Sequence, residues 1–274
     1  MNFLSWLRRK PTRPISHPTM PQRRLSFQCA VVQGIGSREN QEDAYALVNA
    51  ADVTKIRNEG LLAVVADGMG GLERGEIASH LGIQTITEDF HAMDRNEPLE
   101  VQLRESVLHA ADVVYGALQG QGGSTVIACI LHDEKLYYAG LGDSFLYLLR
   151  DGKLIRINRE HNMRHQHYLR CIHTGRVDAS VHETIPQQGA VTAFLGIDQL
   201  DDVDWLYKSL PLQDDDVLLL CSDGIAGVLQ PQEIAESMSL LDANNAVAML
   251  RSLVLSKNIA NQDNFTAVII RCKK

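Results

Sequence analysis

The chain has 274 residues, 45% of them hydrophobic, so it can bury a substantial core, which we expect to be one large domain. Its formal net charge of −8 argues against general nucleic-acid binding, which requires a basic surface. No stretch approaches the roughly 18 consecutive apolar residues of a membrane span. The five cysteines, odd in number and without a Cys-x-x-Cys pair, indicate reduced thiols in a cytoplasmic protein.

Residues 1–25 differ in composition from the rest of the chain. They contain the basic cluster Arg8–Lys10 and four prolines but no acidic residue, which predicts a disordered tail ahead of a domain over residues 26–274. The apolar residues 3–7 precede the basic cluster, which is not the order of a secretory signal. Contact with an anionic membrane surface or a partner is the alternative to a solvated tail.

Short apolar or alternating runs from Leu25 onward predict many short strands. Turn residues at 132–134 and 151–152 separate neighbouring runs in the manner of hairpins, which favours antiparallel pairing. The predicted strands cover residues 26–33, 44–49, 61–66, 124–131, 135–141, 144–150, 153–157, 190–195, 204–209, 216–222 and 265–271.

Helical periodicity is clear over residues 75–90, 100–118 and 243–255. Amphipathic helices cover sheet faces, so we predict an α+β fold, a four-layer αββα sandwich of two antiparallel sheets flanked by helices. The apolar faces are Ile77, Ala78, Leu81 and Thr85 in the first helix, Leu103, Val107, Ala110, Ala111, Val114 and Leu118 in the second, and Ala246, Met249, Leu250 and Leu253 in the third.

Acidic residues stand at the edges of several apolar runs. Asp67 leads the segment Asp-Gly-Met-Gly-Gly directly after the run 61–66, and its glycines leave the backbone open to close approach by an ion. Carboxylates gathered in one cleft repel one another, and divalent cations neutralise them. Oxygen ligands select Mg²⁺ or Mn²⁺ over zinc. A turn or cap role is the alternative for each single residue; the other acids are Glu42, Asp43, Asp143, Asp223 and Asp263.

A series of motifs across residues 26–272 resembles the metal-dependent protein phosphatases of the PPM (protein phosphatase 2C) type, and in particular their bacterial members. The motifs come in the family's order and with plausible spacing. They are Arg-Glu-Asn-Gln-Glu-Asp at 38–43, Val-Val-Ala-Asp-Gly-Met-Gly-Gly at 64–71, Gly-Ser-Thr at 123–125, Gly-Asp-Ser at 142–144, Val-Thr-Ala-Phe-Leu-Gly at 191–196, Leu-Leu-Cys-Ser-Asp-Gly at 219–224 and Asp-Asn-Phe-Thr at 263–266.

The resemblance implies two Mn²⁺ or Mg²⁺ ions bridged by Asp67. Asp223 and Asp263 would complete one ion site, and Glu42 with the Gly68 carbonyl would complete the other. Asp43 would hold water at the metal pair, and Asp143 with Asp223 could bind a weaker third ion. Arg38 would clamp the substrate phosphate, for which a guanidinium fork is well suited; its alternative is a surface charge or an ion pair with Glu42.

The implied activity is hydrolysis of phosphoserine and phosphothreonine in proteins by metal-activated water, with no protein nucleophile. Phosphoprotein substrates and a cognate serine/threonine kinase would be the partners of a cytoplasmic monomer. Two alternatives stay open: a catalytically weak or silent phosphoprotein-binding regulator of the same fold, and a hydrolase of small phosphoesters.

The chain departs from the family pattern outside the implied metal ligands. Met69 stands where many eukaryotic members have His, and Met cannot donate a proton. The general acid would then be either water at the metals or one of five histidines. The alternative for these histidines is that they are solvated residues of a loop. Phe145, Ala193 and Glu160 also differ from the residues that the family usually has at these positions. The family's substrate preference and its flap near residues 160–189 therefore cannot simply be carried over to this chain. The histidines concerned are His161, His165, His167, His173 and His182.

Overall fold

The computed structural model of the chain describes residues 24–69, 74–175, 187–200 and 202–274, so nearly all of the predicted tail lies outside the described residues. Its strands are β1 (Ser26–Gly34), β2 (Ala44–Val48), β3 (Leu61–Ala66), β4 (Val126–His132), β5 (Lys135–Leu141), β6 (Phe145–Arg150), β7 (Lys153–Arg156), β8 (Asp204–Trp205), β9 (Leu210–Pro211), β10 (Val217–Cys221) and β11 (Phe265–Lys273). Its helices are α1 (Val53–Glu59), α2 (Gly75–Ala92), α3 (Leu99–Leu118), α4 (Met163–Thr174), α5 (Asp223–Ala226), α6 (Pro231–Met238) and α7 (Ala243–Ser256).

The strands form two antiparallel sheets. One sheet has the order β1-β11-β10-β6-β7, and the other has the order β2-β3-β4-β5-β8, with β9 also paired to β5. Apolar side chains fill three layers: between the two sheets, between the second sheet and α2 with α3, and between the first sheet and α5 to α7. The predicted αββα sandwich is therefore confirmed.

Strand β3 shows how the sequence specifies these layers. All six of its residues are buried. Leu61, Ala63 and Val65 pack between the sheets, whereas Leu62, Val64 and Ala66 pack against α2 and α3. Because side chains alternate across a strand, a continuous apolar run is what a strand needs when both of its faces are covered. The strand ends at Ala66, and Asp67 follows it directly at the edge of the sandwich.

Two predicted strands differ from the structure. Residues 190–195 form no strand, because Val191 bridges to Asn162 and Leu195 bridges to Ser124, so the segment divides its hydrogen bonds between two loops. Residues 204–209 give only the short strand β8, and β9 follows it as a separate contact with β5.

The buried face of α2 was only partly predicted. Ile77 is 51% exposed, and the buried face instead runs through Ala78, Gly82, Ile86 and Phe90. A Cβ atom at Gly82 would lie 2.3 Å from Leu195 Cδ1, so this glycine lets the helix approach its neighbour closely. In α3, by contrast, every residue of the predicted apolar face is buried.

Helices α1 and α4 bury no residue completely, so their sequences lack the apolar periodicity that would have predicted them. None of the described helices is long and apolar enough to cross a membrane. The five cysteines are free thiols, and burial raises the pKa of the Cys29 thiol to about 12.

Candidate metal centre

Asp67 is held in place through its backbone. Its N–H donates to Thr125 Oγ1 at 3.2 Å, and its carbonyl accepts from the Thr125 N–H at 2.8 Å and from Ser124 Oγ at 2.9 Å. The Gly-Ser-Thr motif at the start of β4 thus fixes the peptide of Asp67 and leaves the carboxylate free for other partners. Next to it, a Cβ atom at Gly68 would lie 2.6 Å from the Glu42 carbonyl oxygen, so only glycine fits there.

Strand pairing brings the remaining acids to this edge of the sandwich. Glu42 and Asp43 precede β2, whose first residue pairs with the last residue of β3. Asp223 follows β10 and Asp263 lies just before β11, and these two strands are antiparallel neighbours. Asp143 lies between β5 and β6. The structure therefore gathers all the predicted acidic residues around Asp67.

The acids raise one another's pKa values. Desolvation in the cleft, and then the charges of Asp43, Asp223, Asp143 and Asp263, raise the pKa of Asp67 well above its ordinary value. Burial first and the charge of Asp223 second raise the pKa of Asp143 to about 7. Burial of Asp43 raises its pKa to about 6. A cluster of this kind needs protons or cations to be stable at neutral pH.

Asp223 and Glu42 lie nearer the solvent. Asp223 has an exposed surface, but the cleft walls around it desolvate its carboxylate, and this effect and the charge of Asp263 raise its pKa. Desolvation likewise raises the pKa of half-buried Glu42. Neither side chain is fully buried, so an ion can reach both carboxylates from the solvent.

The residues present fit a hard divalent cation. Asp43 is 1% exposed, and its Oδ1 is a buried acceptor with no donor among the described residues. An acceptor in this state is costly unless a cation or a proton satisfies it. No three Asp, Glu, His or Cys side chains of the described residues converge closely enough to form a ready-made metal site. The acidic side chains around Asp67 offer oxygen donors, which suit Mg²⁺ or Mn²⁺ better than zinc.

Arg38 lies at the mouth of the cleft. Its Nη2 donates to Asp263 Oδ2 at 2.6 Å, and this bond is the main reason that its pKa is raised. The sequence had suggested Glu42 as its ion-pair partner; Glu42 adds only a smaller electrostatic effect. A guanidinium at this position can meet a phosphate that approaches the carboxylate cluster.

Polar residues next to the acids orient them, and sequence reasoning gave these residues no role. Ser222 Oγ donates to Asp43 Oδ2 at 2.8 Å and accepts from the Thr266 N–H at 3.0 Å. Asn264 accepts from the Glu42 N–H at 2.7 Å and donates to the carbonyls of Ile35 and Asn40. The available signal was a hydroxyl or amide residue directly beside an acid in each motif.

A hydroxyl pair also joins the two sheets at the site. Thr125 Oγ1, which receives the Asp67 N–H, lies 2.7 Å from Ser144 Oγ, and both side chains are buried. Ser144 directly follows Asp143. Two hydroxyl groups thus connect the backbone of Asp67 to Ser144, the neighbour of Asp143.

The departures from the family pattern have structural explanations. The Arg156 guanidinium lies 4.2 Å from the centre of the Phe145 ring and forms an ion pair with Glu160. Glu160 also accepts from Asn162 Nδ2. Ala193 is buried in the core that α2 and α3 share with the second sheet. Among these residues, Glu160 adds a small electrostatic effect that raises the pKa of Asp143, and the charge of Arg156 opposes it.

The histidines have varied environments. His161 is buried, and its Nδ1 accepts from the Gly142 N–H at 3.2 Å. His165 and His167 are half-buried on α4, and His173 is exposed near its end. His182, together with Gly70 and Gly71 of the segment after Asp67, lies outside the described residues.

Comparisons with known proteins give one consistent family. The serine/threonine phosphatase stp of Listeria monocytogenes is 27% identical over 220 residues, which cover 76% of this chain and 83% of the relative. Protein phosphatase PhpP of Streptococcus pneumoniae is 24% identical over 256 residues, which cover 89% and 97%.

Solved structures share the fold. The PPM Ser-Thr phosphatase MsPP of Mycobacterium smegmatis, in complex with cacodylate, is 27% identical with a TM-score of 0.68, and the match covers 89% of this chain and 97% of that one. The catalytic domain of the phosphatase PstP, in complex with two manganese ions, is 22% identical with a TM-score of 0.71, and the match covers 91% and 100%.

The family model described as protein phosphatase 2C matches residues 32–262, a region that contains every candidate site residue except Asp263, which directly follows it. This match spans well over half of the chain, and the protein therefore belongs to the protein phosphatase 2C family of bacterial-type serine/threonine phosphatases.

Proposed function

We propose that this protein hydrolyses phosphoserine and phosphothreonine in proteins with a pair of Mn²⁺ or Mg²⁺ ions, and that residues 26–274 form its catalytic domain. The observation that supports this most strongly is the environment of Asp67, whose pKa is raised by desolvation and by four neighbouring carboxylates. Such a cluster is stabilised most simply by divalent cations. The two manganese ions of the PstP structure support the same ion count.

In this proposal the ligands are those that the sequence predicted. Asp67 would help to hold both ions, together with Asp223 and Asp263 for one and with Glu42 and the Gly68 carbonyl for the other. Asp143 and Asp223 would hold a weaker third ion. When bound, the ions supply Lewis-acid activation of the attacking water and neutralise the charge of the phosphoryl group.

The chain's own residues bind the substrate phosphate and orient water. Arg38 binds the substrate phosphate at the mouth of the cleft, where its guanidinium presents two parallel donors. Asp43, held by Ser222, keeps an acceptor directed into the cluster, where it orients water. Four of the cysteines are poor nucleophiles because burial raises their thiol pKa values; they are Cys29, Cys129, Cys221 and Cys272.

The proposed substrates are phosphoproteins made by a serine/threonine kinase. To test the substrate class, we would compare kcat/KM for a phosphothreonine peptide and for p-nitrophenyl phosphate on the same Mn²⁺-loaded protein. A clear preference for the peptide supports the proposal. Preference for the small ester favours a small-phosphoester hydrolase, and peptide binding without turnover favours a phosphoprotein-binding regulator.

A further inference from the structure

We infer that His161 positions Asp143: the ring and the backbone of His161 together hold Gly142, the residue directly before Asp143. The inference rests on the proposed function, because Asp143 matters there as a ligand of the weaker third ion. In this inference a buried histidine supports the third ion site and not the other two.

The first observation is a pair of reciprocal hydrogen bonds. The Gly142 N–H donates to His161 Nδ1 at 3.2 Å, and the His161 N–H donates to the Gly142 carbonyl at 2.8 Å. Both residues are buried. The two bonds engage both the N–H and the carbonyl of Gly142. They therefore fix the backbone orientation of Gly142 and the position of the Asp143 backbone that follows it.

The second observation is the state of the ring. Because Nδ1 accepts a hydrogen bond, the neutral ring carries its hydrogen on Nε2. His161 is 7% exposed, and Nε2 has no hydrogen-bond partner in the described part of the chain. An apolar residue would fill this space without a buried unpaired donor, so the Nδ1 acceptor is the feature of His161 that the site uses.

Gly142 is confined on its other side as well. Its φ of +92° belongs to the region that favours glycine, and a Cβ atom would lie 2.6 Å from Thr125 Cβ. Thr125 is the residue that receives the Asp67 N–H. Gly142 is therefore confined between Thr125 and His161, and a displacement of the ring would be passed directly to Asp143.

His161 also connects this point to a neighbouring segment. Its carbonyl accepts from the Thr192 N–H at 2.8 Å, and Asn162 forms a bridge with Val191. Leu195, further along the same segment, bridges to Ser124 beside Asp67. The segment 187–195 thus reaches Asp143 through His161.

Other acidic residues of the site have their own supports. Asp67 depends on Ser124 and Thr125, Asp43 depends on Ser222, and Glu42 depends on Asn264. Loss of the His161 acceptor should therefore weaken the third ion site and leave the tighter pair nearly unchanged. A general loss of structure would weaken all the sites together.

The test uses His161→Asn and His161→Leu. The amide oxygen of Asn lies close to the place of Nδ1, whereas Leu keeps bulk without an acceptor. Calorimetric titration of metal-free protein with MnCl₂ and thermal unfolding are measured for both variants and for Asp143→Asn. We expect His161→Leu to weaken the weakest Mn²⁺ event about 10- to 100-fold, as Asp143→Asn does, and His161→Asn to retain it.

An unchanged weakest event in His161→Leu, or equal loss in His161→Asn, would overturn the inference. If His161→Leu does not fold, His161→Gln replaces it, because the Gln oxygen reaches toward the place of Nε2 instead. Wild-type protein that binds no Mn²⁺ contradicts the proposed function itself. Wild-type protein that binds Mn²⁺ and turns over phosphopeptide without a third event contradicts only the inference.

Discussion

Arg38 Nη2 lies 2.6 Å from Asp263 Oδ2, so the candidate phosphate clamp is bonded to a candidate metal ligand. The two side chains are 46% and 43% exposed, which places the pair at the mouth of the cleft. The same guanidinium thus neutralises a carboxylate of the cluster and faces an incoming phosphate. Phosphate binding and metal binding are expected to influence each other through this bond.

Replacing Arg38 with alanine should therefore separate the two roles. We expect kcat/KM for a phosphothreonine peptide to fall by about tenfold or more, mainly through KM, because a charge-assisted phosphate contact is lost. Arg38→Lys should recover part of this loss. Stability should change by less than about 1 kcal/mol, since the ion pair is exposed. An unchanged kcat/KM would contradict the role of Arg38.

Asp67→Asn and Asp223→Asn should abolish turnover while the metal-free protein stays folded. Removing one of several clustered like charges relieves repulsion, so thermal unfolding of the metal-free variants should occur at the wild-type temperature or above it. Loss of fold in either variant would mean that these carboxylates are structural.

Asp216→Asn is the matched control for those variants. Asp216 is 1% exposed and binds Arg150 through both carboxylate oxygens at 2.8 and 2.6 Å, one strand length away from Asp223. Its replacement should lower the free energy of unfolding by about 1–3 kcal/mol, because a buried charged contact is weakened. The kcat of this variant should remain that of the wild type.

The stability of the metal-free protein should depend on pH through Asp143 and Asp43. Their pKa values are raised to about 7 and about 6, so the folded state holds more protons than the unfolded state above pH about 4. Their stabilising contribution is complete below that pH and is lost as the pH rises to about 7. The difference between wild type and Asp143→Asn, from denaturant unfolding at each pH, isolates this effect.

In that comparison Asp143→Asn should lose less stability than wild type between pH about 4 and about 7. Saturating Mn²⁺ should restore wild-type stability at pH 7 and above, because a bound cation stabilises the folded state. Parallel pH profiles for the two proteins would contradict the raised pKa of Asp143.

Ser222→Ala should weaken the cluster although Ser222 is not itself a ligand. It leaves the Thr266 N–H and Asp43 Oδ2 without their buried partner, which costs about 1–3 kcal/mol of stability. Mn²⁺ affinity should fall about tenfold or more. Ser239→Ala is the control, because the exposed Ser239 hydroxyl bonds only to its own helix, and it should leave Mn²⁺ affinity unchanged.

The sequence predicted the elements whose patterns are set by burial. A continuous apolar run explains β3, which is buried on both faces, and a full apolar stripe explains α3, which buries every predicted residue. The acids around Asp67 were predicted as a group because each lies at the edge of an apolar run. Strand pairing then places those edges together.

Other features depend on contacts that no local pattern records. Residues 190–195 look like a strand, but their backbone hydrogen bonds go to His161 and Met163 at one end and to Ser124 at the other, instead of to one neighbouring strand. Ile77 looks like a core residue, but the side of α2 that packs closely is the one that contains Gly82, and Ile77 is exposed. Ser222 and Asn264 were not assigned roles, because their partners lie far away in the sequence.

The central claim is best tested by phosphate release from a phosphothreonine peptide. EDTA-stripped protein is assayed with and without about millimolar Mn²⁺, alongside Asp67→Asn. The account predicts activity that appears only with Mn²⁺ and is absent in Asp67→Asn. Folded, Mn²⁺-loaded wild-type protein that releases no phosphate, or an equally active Asp67→Asn, would contradict it.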